Sequence, residues 1–312
     1  MTARISIIIC THNPRMDYLE RTLDALRVQT LPFAEWEFLV VDNASSKPVA
    51  SMIDLSWHPR ARIIVESTLG VTSARLRGIA ETSSEFIVFC DDDTPFAADF
   101  LETTKRIASE NSRLGAWGCQ CLPEFEVEPT EEAKPCLHYF ALRTLTEDKW
   151  SNYSHENLPT TGGMTIRRQV AEQYAEHVKS DVRRRRLGRT GKSLSSSEDL
   201  DMALTCYELG FGTGLFKKLV ITHLISAPRL EMAYLDRLTE NIAYSQAMLN
   251  YLRYGITGED KRPWRRRFFD GTIAWLERTL REPGQRRYLR NHRHGELRAK
   301  NDILNMGTEK QN

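Results

Sequence analysis

Short apolar runs alternate with helical patterns through the first third of this chain. Four runs are rich in valine, isoleucine and phenylalanine, as strands buried on both faces of a sheet are. They are ISIIIC at 5–10, EFLVVD at 37–42, ARIIVE at 61–66 and EFIVFCD at 85–91. Between the first two, Leu19, Leu23 and Leu26 recur at helical spacing, and a looser helical pattern occupies 71–79. The alternation predicts a doubly wound α/β fold with a mostly parallel central sheet.

Polar residues follow three of these runs where each strand is expected to end. They are Thr11 to Asn13, Asp42 to Ser45 and Asp91 to Asp93. Ligands of doubly wound sheets bind beyond the carboxyl ends of the strands, so the three clusters are expected to converge on one edge. The sequence therefore predicts a polar binding site there.

The third cluster is a run of three aspartates directly after a strand. One interpretation is that they are solvated loop acids that cap the next helix, which is expected to begin near Phe96. Three adjacent carboxylates repel one another, however, and a divalent cation that prefers oxygen ligands would neutralise them. Mg²⁺ or Mn²⁺ bridging a diphosphate is the usual reason for such a cluster beside a nucleotide.

Composition limits the architecture and the compartment. The chain has 312 residues, 41% hydrophobic and 27% charged, which fits one large domain or one domain with an appendage. Its apolar runs fall short of the roughly 20 residues that span a bilayer, and its start lacks the apolar stretch of a secretory signal. The six cysteines are scattered without CxxC spacing, which is typical of reduced core residues. These features predict a soluble cytoplasmic protein.

Seven segments of the chain resemble the inverting family 2 glycosyltransferases of the GT-A fold. They are SIIICTHNP, VVDNAS, GVTSARLRGI, FCDDDTPFAADFL, TTGGMTI, SEDLDMALTCYELGF and VITHL. The resemblance covers about residues 4–225 and implies a catalytic domain at 1–225. It also implies a nucleoside-diphosphate sugar as donor and a divalent cation, Mn²⁺ or Mg²⁺, as cofactor.

The resemblance assigns residues to donor binding. It implies that the nucleotide is held by Thr11, Asn13, Asp42, Arg75, Asp91 and Asp92, and the metal by Asp93 and His223. A lone histidine at a strand end is otherwise more often structural, so only the resemblance makes His223 a ligand. Thr68 and Leu76 depart from the family pattern, which often has asparagine there, and this weakens the match around Arg75.

Two further segments are assigned to sugar transfer. Glu198 and Asp199 open an amphipathic helix, where acids also stabilise the helix dipole without any catalytic role. Inversion needs a carboxylate that removes the proton of the incoming hydroxyl. The resemblance makes Asp199 this base, kept ionised by the helix terminus, and Glu198 the residue that places the acceptor. Gly162 and Gly163 either form a plain tight turn or also allow the backbone to come close to the donor sugar.

A basic run comes shortly before the acidic pair, within a loop rich in glycine and serine. It consists of Arg183–Arg186, Arg189 and Lys192. Such runs usually form a solvated face. The alternative is a mobile loop that closes over the donor or attracts a phosphate-bearing acceptor.

Residues 226–312 are predicted to form a helical, basic C-terminal extension. From Arg253 to Lys300 there are fourteen Lys or Arg against six Asp or Glu, a local charge of +8 in a chain of net charge +1. Aromatic residues lie among these arginines, namely Trp264, Phe268, Phe269 and Trp275. The helices either pack on the catalytic domain or contact an anionic membrane peripherally. Nucleic-acid binding is disfavoured because the region has no recognisable reading motif.

Together these features predict a metal-dependent inverting glycosyltransferase that acts on a hydroxyl of a glycan or lipid-linked acceptor in cell-surface polysaccharide biosynthesis. A haloacid-dehalogenase-type phosphohydrolase also begins from aspartates after a strand, but its DxDx[TV] pattern fails at Pro95. A non-catalytic protein that binds a nucleotide sugar or a glycan on the same scaffold stays open as the alternative.

Overall fold

The computed structural model of this protein describes residues 5–153, 155–257 and 282–308. The chain divides into two compact units. The first comprises Met1–Glu124, Ala141–Lys192 and Glu198–Ile225, and the second comprises Phe125–Phe140, Ser193–Ser197 and Ser226–Asn312. The last break, after Ile225, lies at the predicted end of the catalytic domain. The sequence pattern gave no sign that two short earlier segments belong to the second unit.

The first four strands form the parallel part of one sheet in the first unit. They are β1 (Ile5–Thr11), β2 (Trp36–Asp42), β3 (Ala61–Val65) and β4 (Phe86–Cys90). β1 pairs in parallel with β2 and β4, and β3 pairs in parallel with β2. The register places Thr11 beside Asp42, so the polar residues that end β1 and β2 meet at one edge.

Within the described residues, the sheet has eight strands in the order β3-β2-β1-β4-β7-β5-β8-β6. The later strands are β5 (Leu114–Phe125), β6 (Lys149–Ser151), β7 (Thr165–Arg167) and β8 (Gly212–Ile225). β7 pairs antiparallel with β4 and β5, and β6 pairs antiparallel with β8. The antiparallel part therefore adjoins the strand that ends in the three aspartates.

Among the described residues of the first unit, five α-helices accompany the sheet. They are α1 (Met16–Arg27), α2 (Val71–Glu81), α3 (Phe100–Glu110), α4 (Arg168–Ser180) and α5 (Glu198–Glu208). α1 buries Leu19, Leu23 and Leu26, as their spacing predicted. α2 lies very close to β1, because a β-carbon at Gly78 would come within 2.7 Å of Ile8 Cγ2. This approach requires glycine and brings the helix that carries Arg75 against the sheet.

One helix start differs from the sequence prediction. α3 begins at Phe100, whereas Phe96 forms an isolated bridge with Ile221 of β8. The backbone of β8 takes up the hydrogen bonds of this stretch, since the Ala97 N–H donates to the Val220 carbonyl at 3.0 Å. The ring of Phe96 also stacks on Phe100, with 4.1 Å between ring centroids. The interpretation of the three aspartates as caps of a helix near Phe96 is therefore wrong.

The second unit is built mainly of helices. They are α6 (Ala227–Leu230), α7 (Met232–Tyr254) and α8 (Pro283–Thr308), with a 3₁₀ helix at Lys134–Phe140. Arg287 pairs with Asp236 at 2.5 Å and Arg298 with Glu240 at 2.7 Å, so acids of α7 neutralise part of the positive charge of α8. α7 ends at Gly255, whose left-handed φ of 67° is the common helix stop.

The basic aromatic stretch with Trp264, Phe268, Phe269 and Trp275 lies outside the described residues. Among the helices that the structure does describe, none combines the length and the apolar character needed to cross a membrane. Peripheral membrane contact through this stretch stays a prediction.

Candidate active site

The three consecutive aspartates after β4 contact three different partners. Asp91 Oδ1 lies 3.4 Å from Nη2 of Arg75, and Asp92 accepts a short hydrogen bond from the Thr11 hydroxyl. Asp93 Oδ2 lies 3.5 Å from Nε2 of His223. Neighbouring carboxylates repel one another, and separate partners relieve that repulsion.

The backbone explains how a distant histidine reaches Asp93. The stretch after β4 runs along β8, and the Leu224 N–H donates to the Asp93 carbonyl at 2.9 Å. His223 precedes Leu224 on β8, so this ladder sets its ring beside the carboxylate. The contact joins residues that the sequence analysis had linked only through the family resemblance.

Asp93 and His223 fit a divalent cation that is shared with a ligand. Their side chains are partly accessible, at 18% and 10% exposure. No group of three or more His, Cys, Asp or Glu side chains that could hold a metal occurs among the described residues. Mg²⁺ typically binds one or two protein carboxylates and completes its shell with water and substrate phosphates. A two-residue site is therefore consistent with a cation that arrives with a diphosphate.

Asp42 and Asn13 form the outer part of the polar edge. Asp42 accepts hydrogen bonds from the N–H groups of Ser45 (3.0 Å) and Val49 (2.9 Å). Burial opposes ionisation of this carboxyl, but hydrogen bonds from the side chain of Ser45 and from these N–H groups outweigh it, so the pKa of Asp42 lies below its ordinary value. Asn13 is exposed with φ of 50°, and its Oδ1 accepts from the Ser46 N–H at 2.8 Å. Both residues are thereby held by the loop after β2.

Asn43 has a structural role that the sequence analysis did not assign. Its side-chain amide donates to the carbonyls of Glu66 (3.1 Å) and Thr68 (2.8 Å). Its Oδ1 accepts from the Gly70 N–H at 2.8 Å, directly before α2 begins. Asn43 therefore sets the path of the chain into α2. Only its position in a polar cluster marked it in the sequence.

Arg75 is a buried hub of the site. It is 5% exposed, and its guanidinium donates to Glu198 by a short bond, to Thr161 Oγ1 at 2.7 Å and to Asp91 Oδ1 at 3.4 Å. Burial alone would lower the pKa of Arg75, but the charges of Glu198 and Asp91 raise it, so the side chain is a permanent cation. Its predicted contact with a nucleotide stays a prediction, while its partners in the structure are protein side chains.

Glu198 and Asp199 are both buried at the start of α5, at 3% and 6% exposure. Oε1 of Glu198 is bound to Arg75, and Oε2 is buried without a hydrogen-bond partner in the part of the chain that the structure describes. Asp199 Oδ1 accepts from the Leu200 N–H at 2.8 Å. Burial and the adjacent charge of Glu198 raise the pKa of Asp199 to about 7, against the opposing effect of Arg75. The helix terminus was expected to favour the ionised form of Asp199, but burial and Glu198 shift its pKa in the opposite direction.

The glycine pair lies next to the aspartates. Gly163 has a φ of 93°, which favours glycine, and its N–H donates to the Phe89 carbonyl of β4 at 3.0 Å. A β-carbon at Gly162 would lie 3.4 Å from Asp91 Oδ2. Thr161 of the same turn contacts Arg75, so this turn joins β4 to the buried hub.

The basic run is more ordered than the sequence analysis expected. Val182–Leu187 is a 3₁₀ helix and not a glycine- and serine-rich loop. Arg183 binds Asp181 at 2.6 Å, Arg184 binds Asp201 at 2.5 Å, and Arg185 donates to Ser73 Oγ at 3.0 Å. We call Asp181–Thr190 the arginine segment. Three of its arginines bind protein side chains, so the segment is not simply a solvated face.

The site combines an anionic cluster at the strand ends of an α/β sheet with a buried carboxylate pair at the start of α5, and Arg75 joins the two. Ligands of such sheets bind beyond the carboxyl ends of the strands. The family model described as Glycosyl transferase family 2 matches residues 6–188, which is more than half of the chain. The chain belongs to this family. The match ends before α5, so it does not include Glu198 and Asp199.

Curated relatives match part of this chain. EpsH of Bacillus subtilis (strain 168) is 25% identical over 166 residues, which are 50% of this chain and 47% of EpsH. YwdF of the same organism, an uncharacterized glycosyltransferase, is 33% identical over 99 residues, which are 32% of this chain and 36% of YwdF. The chain thus spans about half the length of EpsH and about a third of YwdF.

A solved structure shares the fold. The crystal structure of S. aureus TarS 1–349 in complex with UDP-GlcNAc matches with a TM-score of 0.54 and 14% sequence identity, over 81% of this chain and 66% of that chain. At this identity the likeness concerns the fold alone. The predicted GT-A fold with a helical C-terminal region and the predicted family are confirmed.

Proposed function

We propose that this protein is an inverting glycosyltransferase that moves a sugar from a nucleoside-diphosphate donor to a hydroxyl of an acceptor. One observation carries the proposal. Arg75 joins Asp91, beside the polar strand ends, to Glu198 of the buried pair that contains Asp199. A donor bound at the strand ends would thus lie in the same cluster as Asp199, whose pKa is about 7. Membership of Glycosyl transferase family 2 supports this reading.

The donor nucleotide is assigned to the polar edge of the sheet. Asp42, with its lowered pKa, is a fixed anion that accepts hydrogen bonds from a base or ribose. Thr11, Asn13 and the aspartates Asp91 and Asp92 complete this end, with Arg75 behind them. Gly162 and Gly163 let the backbone approach the donor sugar beside Asp91.

Asp93 and His223 are assigned to a divalent cation, Mn²⁺ or Mg²⁺. When bound, the cation neutralises the diphosphate and stabilises it as the leaving group. Asp93 and His223, whose side chains lie 3.5 Å apart, would hold the ion together with phosphate oxygens of the donor. Without the ion, the diphosphate and the aspartates would repel each other.

Asp199 is assigned as the base. In its ionised form it takes the proton of the acceptor hydroxyl as that oxygen attacks the anomeric carbon, and the diphosphate leaves from the opposite face. A pKa of about 7 gives an appreciable ionised fraction at neutral pH and a proton affinity suited to the task. Glu198 is fixed by Arg75 through Oε1, and its Oε2 is assigned to accept a hydrogen bond from the acceptor.

The acceptor is proposed to be a glycan or a lipid-linked glycan of cell-surface polysaccharide synthesis at the cytoplasmic face of a membrane. The support is the local charge of +8 between Arg253 and Lys300. Co-sedimentation with anionic and neutral vesicles at low and high salt tests the contact. Salt-sensitive binding to anionic vesicles is expected, and equal, negligible binding to both would remove this part of the proposal.

The central test combines binding with turnover. Nucleoside diphosphates are screened by thermal shift with and without Mn²⁺, because a ligand of the native state raises its stability. UDP-GlcNAc, the ligand in the TarS complex, is the first donor for measuring sugar release or transfer. Metal-dependent binding with turnover is expected. Binding without turnover of any donor would favour the non-catalytic alternative, and no binding at all would overturn the proposal.

A further inference from the structure

The arginine segment, Asp181–Thr190, is bound to α5 through a buried ion pair. Nη1 of Arg184 donates to both carboxylate oxygens of Asp201, at 2.5 and 2.7 Å. The side chain of Asp201 is 0% exposed and that of Arg184 is 11% exposed. Asp201 lies in the first turn of α5, two residues after Asp199. Removing one partner of such a pair leaves the other charge buried and unpaired, so the contact strongly fixes this turn.

The same segment is bound to the first turn of α2. The Val71 N–H donates to the Arg189 carbonyl at 2.9 Å, and Arg185 donates to Ser73 Oγ at 3.0 Å. Gly188 packs between the two helices, because a β-carbon there would lie 2.5 Å from Thr72 Oγ1 and 3.3 Å from Glu198 Cγ. One segment of the chain therefore touches the starts of both helices.

These two helices carry the two partners of the buried ion pair between Arg75 and Glu198. Arg75 is one turn into α2, and Glu198 is the first residue of α5. Their ion pair forms only while the helix starts keep their separation. The arginine segment connects the two helix starts without belonging to this ion pair. Arg184 binds α5, and Gly188 lies between α2 and α5.

We infer that Arg184 and Gly188 are positioning residues for sugar transfer, which hold α5 against α2 so that Glu198 stays on Arg75 and Asp199 stays in place. This inference rests on the proposed function for its kinetic consequence, but not for its structural one. The proposed function assigns neither residue to donor or acceptor contact. The nucleotide end of the site, at Thr11 and Asp42, belongs to β1 and β2 and is expected to be unaffected.

The experiment compares Arg184→Met with a matched control. Arg21 makes a bidentate pair with Glu124 at 2.6 and 2.9 Å, but both side chains are about half exposed, so Arg21→Met removes similar chemistry at the surface. Hydrogen exchange measured by mass spectrometry follows the first turns of α2 and α5, with α3 as internal reference. The kinetic assay uses UDP-GlcNAc with Mn²⁺ and reports kcat and donor KM separately.

Arg184→Met is expected to speed exchange in the first turns of α2 and α5 by about tenfold or more while α3 keeps its rate. kcat should fall about tenfold with donor KM within about twofold, since misplacement of a catalytic group affects the reaction more than binding. Arg21→Met should change neither. Arg184→Lys keeps the charge but loses the planar fork, so it should recover part of kcat.

Gly188→Ala keeps the test decisive if Arg184→Met does not fold, because its added methyl displaces the segment without leaving a charge unpaired. It should give the same local exchange pattern. Faster exchange throughout the sheet would show a merely structural role, and unchanged exchange at both helix starts would remove the positioning role; either result overturns the inference. The exchange pattern needs no turnover, so it separates failure of this inference from failure of the proposed function.

Discussion

Asp42 and Asp199 are two buried carboxylates, 3% and 6% exposed, in different regions of the first unit. Asp42 ends β2 and accepts hydrogen bonds from the N–H groups of Ser45 and Val49. Asp199 starts α5, where burial and the charge of Glu198 act on it together. The pKa of Asp42 is lowered and that of Asp199 is raised to about 7. Burial alone therefore does not set the charge of a carboxyl; the donors and charges around it decide.

The difference matches the two tasks in the proposed reaction. A group that holds a nucleotide works best as a permanent anion, whereas a general base must bind a proton during the reaction and is most effective when its pKa is near the working pH. The nucleotide end and the acid pair would then respond separately to substitution and to pH. The following predictions test this separation.

The largest effect is expected from Asp199→Asn. The amide keeps the shape of the side chain but loses the capacity to take a proton, so kcat should fall by about 10²- to 10⁴-fold. Affinity for UDP-GlcNAc, measured by calorimetry, should stay within about threefold, because other residues hold the nucleotide. Asp42→Asn is the matched substitution at the other region and should weaken donor binding instead. Transfer within a few-fold of the parent in Asp199→Asn would move the base elsewhere, with Glu198 as the next candidate.

The second effect is a divergence of rate and binding with pH. Below a pKa of about 7, Asp199 is increasingly protonated, so kcat should fall about tenfold per pH unit on the acid side. Donor affinity should change little over the same range, because the lowered pKa of Asp42 keeps that carboxylate ionised. The residual rate of Asp199→Asn serves as control and should lose this acid limb. Parallel pH profiles for kcat and for donor affinity would contradict the separation.

The third effect concerns the cation proposed at Asp93 and His223. Asp93→Ala or chelation should weaken UDP binding by about tenfold, because the diphosphate then meets uncompensated carboxylates. Uridine, which has no phosphate, is the control ligand and should bind equally with and without Mn²⁺. Calorimetric titrations of both ligands provide the comparison. UDP affinity that is unchanged by chelation would show that Asp93 and His223 do not hold a functional ion.

Local pattern was sufficient to predict much of this architecture. The runs that became β1 to β4 are apolar because helices and strands surround them, and parallel strands necessarily bring their carboxyl ends together. The position of Glu198 and Asp199 at a helix start also followed from the amphipathic spacing. Periodicity and strand order thus place polar residues on an edge.

Pairings across the chain could not be predicted in this way. Arg75 and Glu198 are 123 residues apart, and no periodicity relates them. The three aspartates looked equivalent in sequence, but β1, α2 and β8 give each a different partner. Arg184 was indistinguishable from its neighbours in a basic run, and only burial of Asp201 sets it apart. Burial and the adjacent charge of Glu198 raise the pKa of Asp199, against the effect expected from the helix terminus alone.

The smallest effect is on stability, and its sign distinguishes the two carboxylates. The folded pKa of Asp199, about 7, lies above the ordinary value of 3.8, so its stabilising contribution is present below pH 4 and is lost as pH rises through 7. Asp199→Asn removes this loss and should exceed the parent in free energy of unfolding by ~1 kcal/mol or more at pH 8. For Asp42 the folded pKa is lowered, so its contribution is present at neutral pH, and Asp42→Asn should be less stable than the parent there. Urea unfolding of the three proteins at pH 5 and pH 8 measures both signs. If Asp199→Asn were destabilised equally at the two pH values, the raised pKa would be wrong, and the contrast between the two regions would have to rest on geometry alone.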